Sequence, residues 1–159
     1  MVTVGRRLLV LTALFFWTGG FTFYAAVVVP VGAEVLGSHR EQGFVTQQVT
    51  NYLNLSGAAA LPLLAWDAAA SRDPSRRRRR ARWLAWLGMA LTLAALVYLH
   101  PRLDALLADA DSPVFDETAF RPLHRAYLWT CTAQWGCAVL YAALAVCAWR
   151  DEDRAPAAV

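Results

Sequence analysis

Residues 8–29 read LLVLTALFFWTGGFTFYAAVVV, 22 consecutive positions without a charged side chain. A bilayer core is about 30 Å thick and a helix rises about 1.5 Å per residue, so roughly 20 apolar residues cross it. Within hydrocarbon a single apolar segment must pair its own backbone N–H and C=O groups, and a helix does so. This run therefore constrains the fold more than any motif in the chain. A cleaved signal peptide behind Arg6 and Arg7 fits less well. A signal's apolar region spans about 7–15 residues and closes on a small-x-small site, which this run lacks.

Three further segments follow. VTNYLNLSGAAALPLLAW begins semi-polar and turns apolar before Asp67; WLAWLGMALTLAALVYL is uncharged and closed by His100-Pro101; AYLWTCTAQWGCAVLYAALAVCAW is uncharged to Trp149. The chain is 58% hydrophobic with mean hydropathy +0.36, gathered into blocks instead of scattered at amphipathic spacing. The expectation is an all-α integral membrane four-helix bundle, up-down-up-down, forming a single membrane domain over residues 1–159. Its helices are placed at about 8–30, 49–68, 83–100 and 125–149, with an Arg-rich loop 71–82 and outer loops 31–48 and 101–124.

Arginine gives the orientation, since the chain has no lysine. Short cytoplasmic loops collect basic residues. Arg6, Arg7, Arg72, Arg76–Arg80, Arg82, Arg150 and Arg154 fall on one side, against Arg40, Arg102, Arg121 and Arg125 on the other. Positive-inside bias thus places both termini and loop 71–82 in the cytoplasm, in a multi-pass protein of the cytoplasmic (inner) membrane. Trp66, Trp83, Trp86 and Trp149 then share the inner interface, and Tyr52, Tyr98, Tyr127 and Trp129 the outer.

The run SRRRRRAR at 75–82 also suits phosphate neutralisation. Its tether to two membrane helices and a net charge of only +3 argue against nucleic acid. The partners expected are the bilayer, anionic headgroups at Arg76–Arg80, and a second copy of the chain in a homo-oligomer. Chemistry is sought at the opposite face.

That outer face collects Glu34, Asn51, Asn54, His100, Arg102, Asp104, His124 and Arg125 from all four helices. Ionisable groups near a membrane core mark either a site or a structural clasp. His100 and His124, at facing ends of consecutive helices with Glu34 near, carry the ligand types of a divalent metal, and two imidazoles also suit haem iron. A clasp or headgroup contact is the competing reading, and His100-Pro101 also reads as a helix stop.

Within the spans, Thr18, Gly19, Gly20 and Thr22 suit close helix packing, Pro62 should kink the second helix, and Gln134 should make an interhelical hydrogen bond. Cys131, Cys137 and Cys147 form no metal or redox motif at spacings of six and ten, and read as packing residues. Thr46 is expected to cap the second helix and Ser112-Pro113 a short helix in an acidic outer loop.

WTGGFTFYAAVVVP, QGFVTQQVTNYLN, LHPRLD and FRPLHRAY together resemble a family of small four-helix membrane proteins described as a domain of unknown function and related to a eukaryotic transmembrane protein. The resemblance covers nearly the whole chain and implies a four-helix membrane fold without an established reaction. A looser likeness runs to copper-resistance membrane domains and to haem-binding membrane oxidases, from which this chain departs in having no histidine in its first helix. The expected function is non-enzymatic: interaction or small-solute handling at the outer polar cluster, without a cofactor. The alternative is a haem- or metal-binding membrane oxidoreductase using His100 and His124.

Overall fold

Helix α1 covers residues 2–36 and carries the uncharged run of the first segment. Two stretches, Phe15–Gly19 and Tyr24–Val28, widen to π-helix, and the Val29 N–H reaches back five residues to the Tyr24 carbonyl. The second stretch lies just before Pro30, whose ring removes a donor and crowds the preceding turn, so a wider turn accommodates it. The helix continues to Leu36 and ends where Gly37 takes φ 60°, a left-handed conformation that glycine adopts without a Cβ clash.

The structure, a computed structural model, describes residues 2–37, 39–108 and 117–154. After α1 come α2 (His39–Ala70), α3 (Arg76–Ala108) and α4 (Glu117–Arg154), with no strand among the described residues. Segments expected as loops are largely helical, because each helix continues past its apolar block. Ser112-Pro113, Asp109, Asp111 and Asp116 lie outside the described residues.

Two sequence expectations are corrected. His100-Pro101 does not stop α3, since Pro101 lies inside it. Leu103 continues the inward face of Leu96 and joins a core with Leu96, Tyr127 and Cys131, and Arg102 donates to the Tyr98 carbonyl at 2.7 Å in the turn proline loosens. Thr46 is no cap either: α2 begins at His39, and the Thr46 hydroxyl donates to the Gln42 carbonyl while accepting from Tyr24 Oη at 2.7 Å.

Three helices, α1, α3 and α4, are long and apolar enough to cross a membrane, the architecture of a multi-pass membrane protein. α2 is as long but misses the same measure, with Gln42, Gln47, Gln48, Asn51 and Asn54 in its first half and Asp67 near its end. Phe15, Phe16, Leu55, Leu84, Leu91 and Trp129 stand exposed on the outside of the helices. In water such a surface would drive aggregation; in lipid it is the solvated face.

The interior is built from small and large side chains in alternation. Ala60, Ala68, Ala85, Ala138 and Ala145 let backbones approach, while Trp17, Leu64, Met89 and Tyr141 fill the space between. Backbone and ring approach closely at Gly57, where a Cβ would come within 2.7 Å of the Trp17 indole. At Gly88 a Cβ would meet Cys137 Sγ at 2.8 Å, so that cysteine does pack as a small residue.

Candidate functional site

On α3 the inward positions Arg78, Arg82, Ala85, Met89, Leu93, Leu96, His100 and Leu103 recur every three or four residues. This phase divides the arginine run: Arg78 and Arg82 turn towards the other helices, and Arg76, Arg77, Arg79 and Arg80 stay exposed.

Arg82, 1% exposed, meets Asp67 on α2, which is 0% exposed. A carboxylate buried that completely is costly unless paired and hydrogen-bonded. Arg82 Nη2 lies 2.5 Å from Asp67 Oδ2, Arg6 Nε of α1 lies 3.0 Å from Oδ1, and the Trp149 indole N–H of α4 donates to Oδ1 at 3.2 Å. Arg82 also donates to Tyr141 Oη at 3.3 Å, and the Tyr141 hydroxyl donates in turn to the Leu64 carbonyl at 2.5 Å. One carboxylate therefore gathers side chains from all four helices.

A second layer surrounds it. Glu152 stands 3.6 Å from Arg6 and 3.0 Å from Arg7, and accepts from the Ser71 hydroxyl and the Arg72 backbone N–H. Arg7 also forks onto Asp153 with both contacts at 2.9 Å. Arg78 makes a bidentate pair with Asp73 at 2.6 and 2.7 Å and reaches Asp151 at 2.8 Å. The Arg78 hydrogen bonds hold the Asp73 carboxyl below the usual carboxylate range. The start of α1, the end of α2, the start of α3 and the end of α4 thus meet at one end of the molecule, the arginine end.

The opposite, histidine end holds the residues singled out from sequence. His100 is 8% exposed, with Nε2 3.5 Å from Asp104 Oδ2 and no hydrogen bond there among the described residues. Its ring lies 6.2 Å from that of Tyr127, whose hydroxyl accepts from Asn54 Nδ2 at 3.4 Å. His100, Asp104, Tyr127 and Asn54 form one cluster from three helices. His124 stacks on Phe120 of its own helix, ring centroids 5.3 Å apart, and Arg102 lies over the Tyr98 ring. Glu34, Asn51 and Arg125 are exposed. Among the described residues no three His, Cys, Asp or Glu side chains gather to hold a metal ion, so Glu34, His100 and His124 do not form a ligand set.

Gln134 is buried, but the expected interhelical hydrogen bond is not formed: Nε2 has no partner among the described residues. The side chain borders a space of about 10 Å³ beside Trp17, Thr18 and Cys131, room for about one water.

The Asp67 cluster escapes a reading that treats arginines as topology markers. Its signal was present: Asp67 is the carboxylate closing an apolar helix, Arg6 opens another, and Arg78 and Arg82 are one helical turn apart. An ionisable residue at such a depth needs a partner.

No curated protein matches this chain, and no solved structure does. The model of one family covers residues 12–112, which include Asp67, Asp73, Arg78, Arg82 and His100 but not α4. The chain belongs to the family described as a domain of unknown function, DUF4149.

Proposed function

We propose that this is a non-enzymatic interaction protein of the cytoplasmic (inner) membrane, with α1 to α4 all crossing it. Both termini and the Arg-rich turn lie in the cytoplasm, following the arginine bias. In this reading α2 crosses despite its polar first half because that half packs against protein: Thr46 meets Tyr24, and Asn54 meets Tyr127. The outward arginines Arg76, Arg77, Arg79 and Arg80 attract anionic headgroups, each worth about 1 kcal/mol near the surface.

The working surface is the histidine end, and one observation carries this. His100 is buried with Nε2 3.5 Å from Asp104 Oδ2 of its own helix and without a hydrogen bond among the described residues. A buried ring nitrogen without a hydrogen bond is an unfilled hydrogen-bonding capacity, which a partner side chain or a small polar solute completes. Interaction is favoured over passage of a solute through one chain, because the space beside Gln134 admits only about one water. The partner is a second copy of the chain or another membrane protein.

Crosslinking of the full-length protein in native membranes tests this. The expected result is a complex that His100→Ala and Asp104→Asn weaken while melting temperature and expression hold. A chain that stays monomeric, or a complex indifferent to both substitutions, overturns the proposal. An absorption spectrum with a Soret band, lost in His100→Ala, would replace it with the oxidoreductase reading.

A further inference from the structure

The exposed side of α3 carries an open groove of about 470 Å³ lined by Arg79, Arg80, Trp83, Leu84, Trp86 and Leu87. Its floor is fixed. The Trp86 indole N–H donates to the Leu61 carbonyl of α2 at 2.9 Å, and Trp83 stands edge-on to Trp86 with centroids 5.6 Å apart and planes at 75°. The two cations have no side-chain partner among the described residues, in contrast to Arg78 and Arg82 on the other face of the same turns. The Trp83 indole N–H is likewise without a partner among the described residues.

The order of these groups along the helix matches an amphiphile. Arginines come first, then Trp83 with Leu84, then Trp86 with Leu87, and the eight steps from Arg79 to Leu87 span about 12 Å of rise. Tryptophan prefers the polar–apolar boundary, which sets the arginines at headgroup depth and the leucines at acyl depth. Guanidinium forks match phosphate oxygens, and an apolar wall continuous with them suits a chain joined to that phosphate more than a free anion. We infer that this groove is a binding site for a single anionic phospholipid of the bilayer, its phosphate held by Arg79, Arg80 and the Trp83 N–H, one acyl chain lying along Leu84 and Leu87. The inference rests on the membrane reading above and sharpens its diffuse headgroup attraction into one site; it does not depend on which way the chain faces.

The test uses full-length protein in nanodiscs of phosphatidylcholine doped with phosphatidylglycerol, with retained lipid counted by native mass spectrometry. Wild type should keep phosphatidylglycerol in preference to phosphatidylcholine. Arg79→Gln/Arg80→Gln should weaken retention by roughly 30-fold or more, and by clearly more than Arg76→Gln/Arg77→Gln, the same charge loss outside the groove. Quenching of tryptophan fluorescence by brominated phosphatidylglycerol should fall in Trp83→Phe. Equal loss in the two arginine pairs overturns the groove and leaves the diffuse attraction standing. No preference in wild type overturns both. Displacement of the lipid by soluble glycerol phosphate overturns the bilayer lipid as occupant.

Discussion

The two ends of this molecule hold the same four helices together by different means. At the arginine end the links are ionic and converge: Arg6, Asp67 and Arg82 lie in mutual contact with Tyr141 and Trp149, and Arg7, Arg78, Asp151, Glu152 and Asp153 form the layer around them. At the histidine end the links between helices are neutral and pairwise: Tyr24 to Thr46 and Asn54 to Tyr127. A converging buried ion cluster tolerates one geometry, because moving any helix leaves a charge without compensation. Pairwise neutral bonds permit small displacements. The difference makes the arginine end a clamp and leaves the histidine end adaptable, the property a docking surface needs.

The comparison predicts a steep contrast in mutational cost, steepest at Asp67. Asp67→Ala leaves Arg6 and Arg82 buried without their carboxylate, which should destabilise the protein by about 3–5 kcal/mol. Unfolding followed by circular dichroism in detergent checks this. Asp67→Asn combined with Arg82→Gln should cost less than the sum of the two single changes, since the pair is removed together. Additive losses would show that Asp67 and Arg82 do not act as a unit, and the clamp would lose its centre.

Between the two ends lies a packing constraint that involves no charge. Gly57→Ala places a methyl within 2.7 Å of the Trp17 ring, which must move or push α1 from α2. Overpacking of this kind costs about 1–3 kcal/mol. If Gly57→Ala is as stable as wild type by the same unfolding measurement, α1 and α2 are not in the close contact described.

Much of this fold was legible in sequence, for physical reasons particular to each part. The uncharged stretch from Leu8 to Val29 leaves the backbone few alternatives, so α1 could be read directly. Helix ends were harder, because His100-Pro101 and Thr46 carry local stop and cap signals that tertiary contacts override: Leu103 finds a core and Thr46 finds Tyr24. The charge cluster was hidden for another reason. Arg78 and Arg82 differ from Arg79 and Arg80 only in helical phase, and phase becomes visible once Asp67 and Asp73 supply the direction that faces inward. The His100, Asp104 and Asn54 grouping was within reach because their depth follows from the spans, whereas Tyr127, read as an interface marker, supplies the ring that joins them.

Acid should loosen the turn between α2 and α3 at the arginine end. Asp73 is held below the ordinary carboxylate range by Arg78, so its contribution is fully present above its unfolded value, near 3.9, and is lost as pH falls through the lower folded value. Stability attributable to this pair is therefore flat from neutral pH down to about 4 and declines below it. In Arg78→Gln that acid-side decline should shrink. Hydrogen exchange at the Ser75 amide, which donates to Asp73 Oδ1 at 2.8 Å, reads the effect locally. A decline that begins above pH 5 in this amide would mean that another group controls the turn.

The smallest effect is expected where the comparison is most exposed to failure, at Asn54 and Tyr127. Their hydrogen bond is long at 3.4 Å and joins two neutral groups on α2 and α4. Polar links between membrane helices average about 0.6 kcal/mol, because the separated helices find other partners. Tyr127→Phe keeps the ring packed against Leu96, Leu103 and Cys131 and removes only the hydroxyl, so it should cost no more than about 1 kcal/mol. A loss near that of Asp67→Ala would show the histidine end to be as tightly coupled as the arginine end. Partner contact at His100 would then have to work against a rigid surface, and the division of labour between the two ends would not hold.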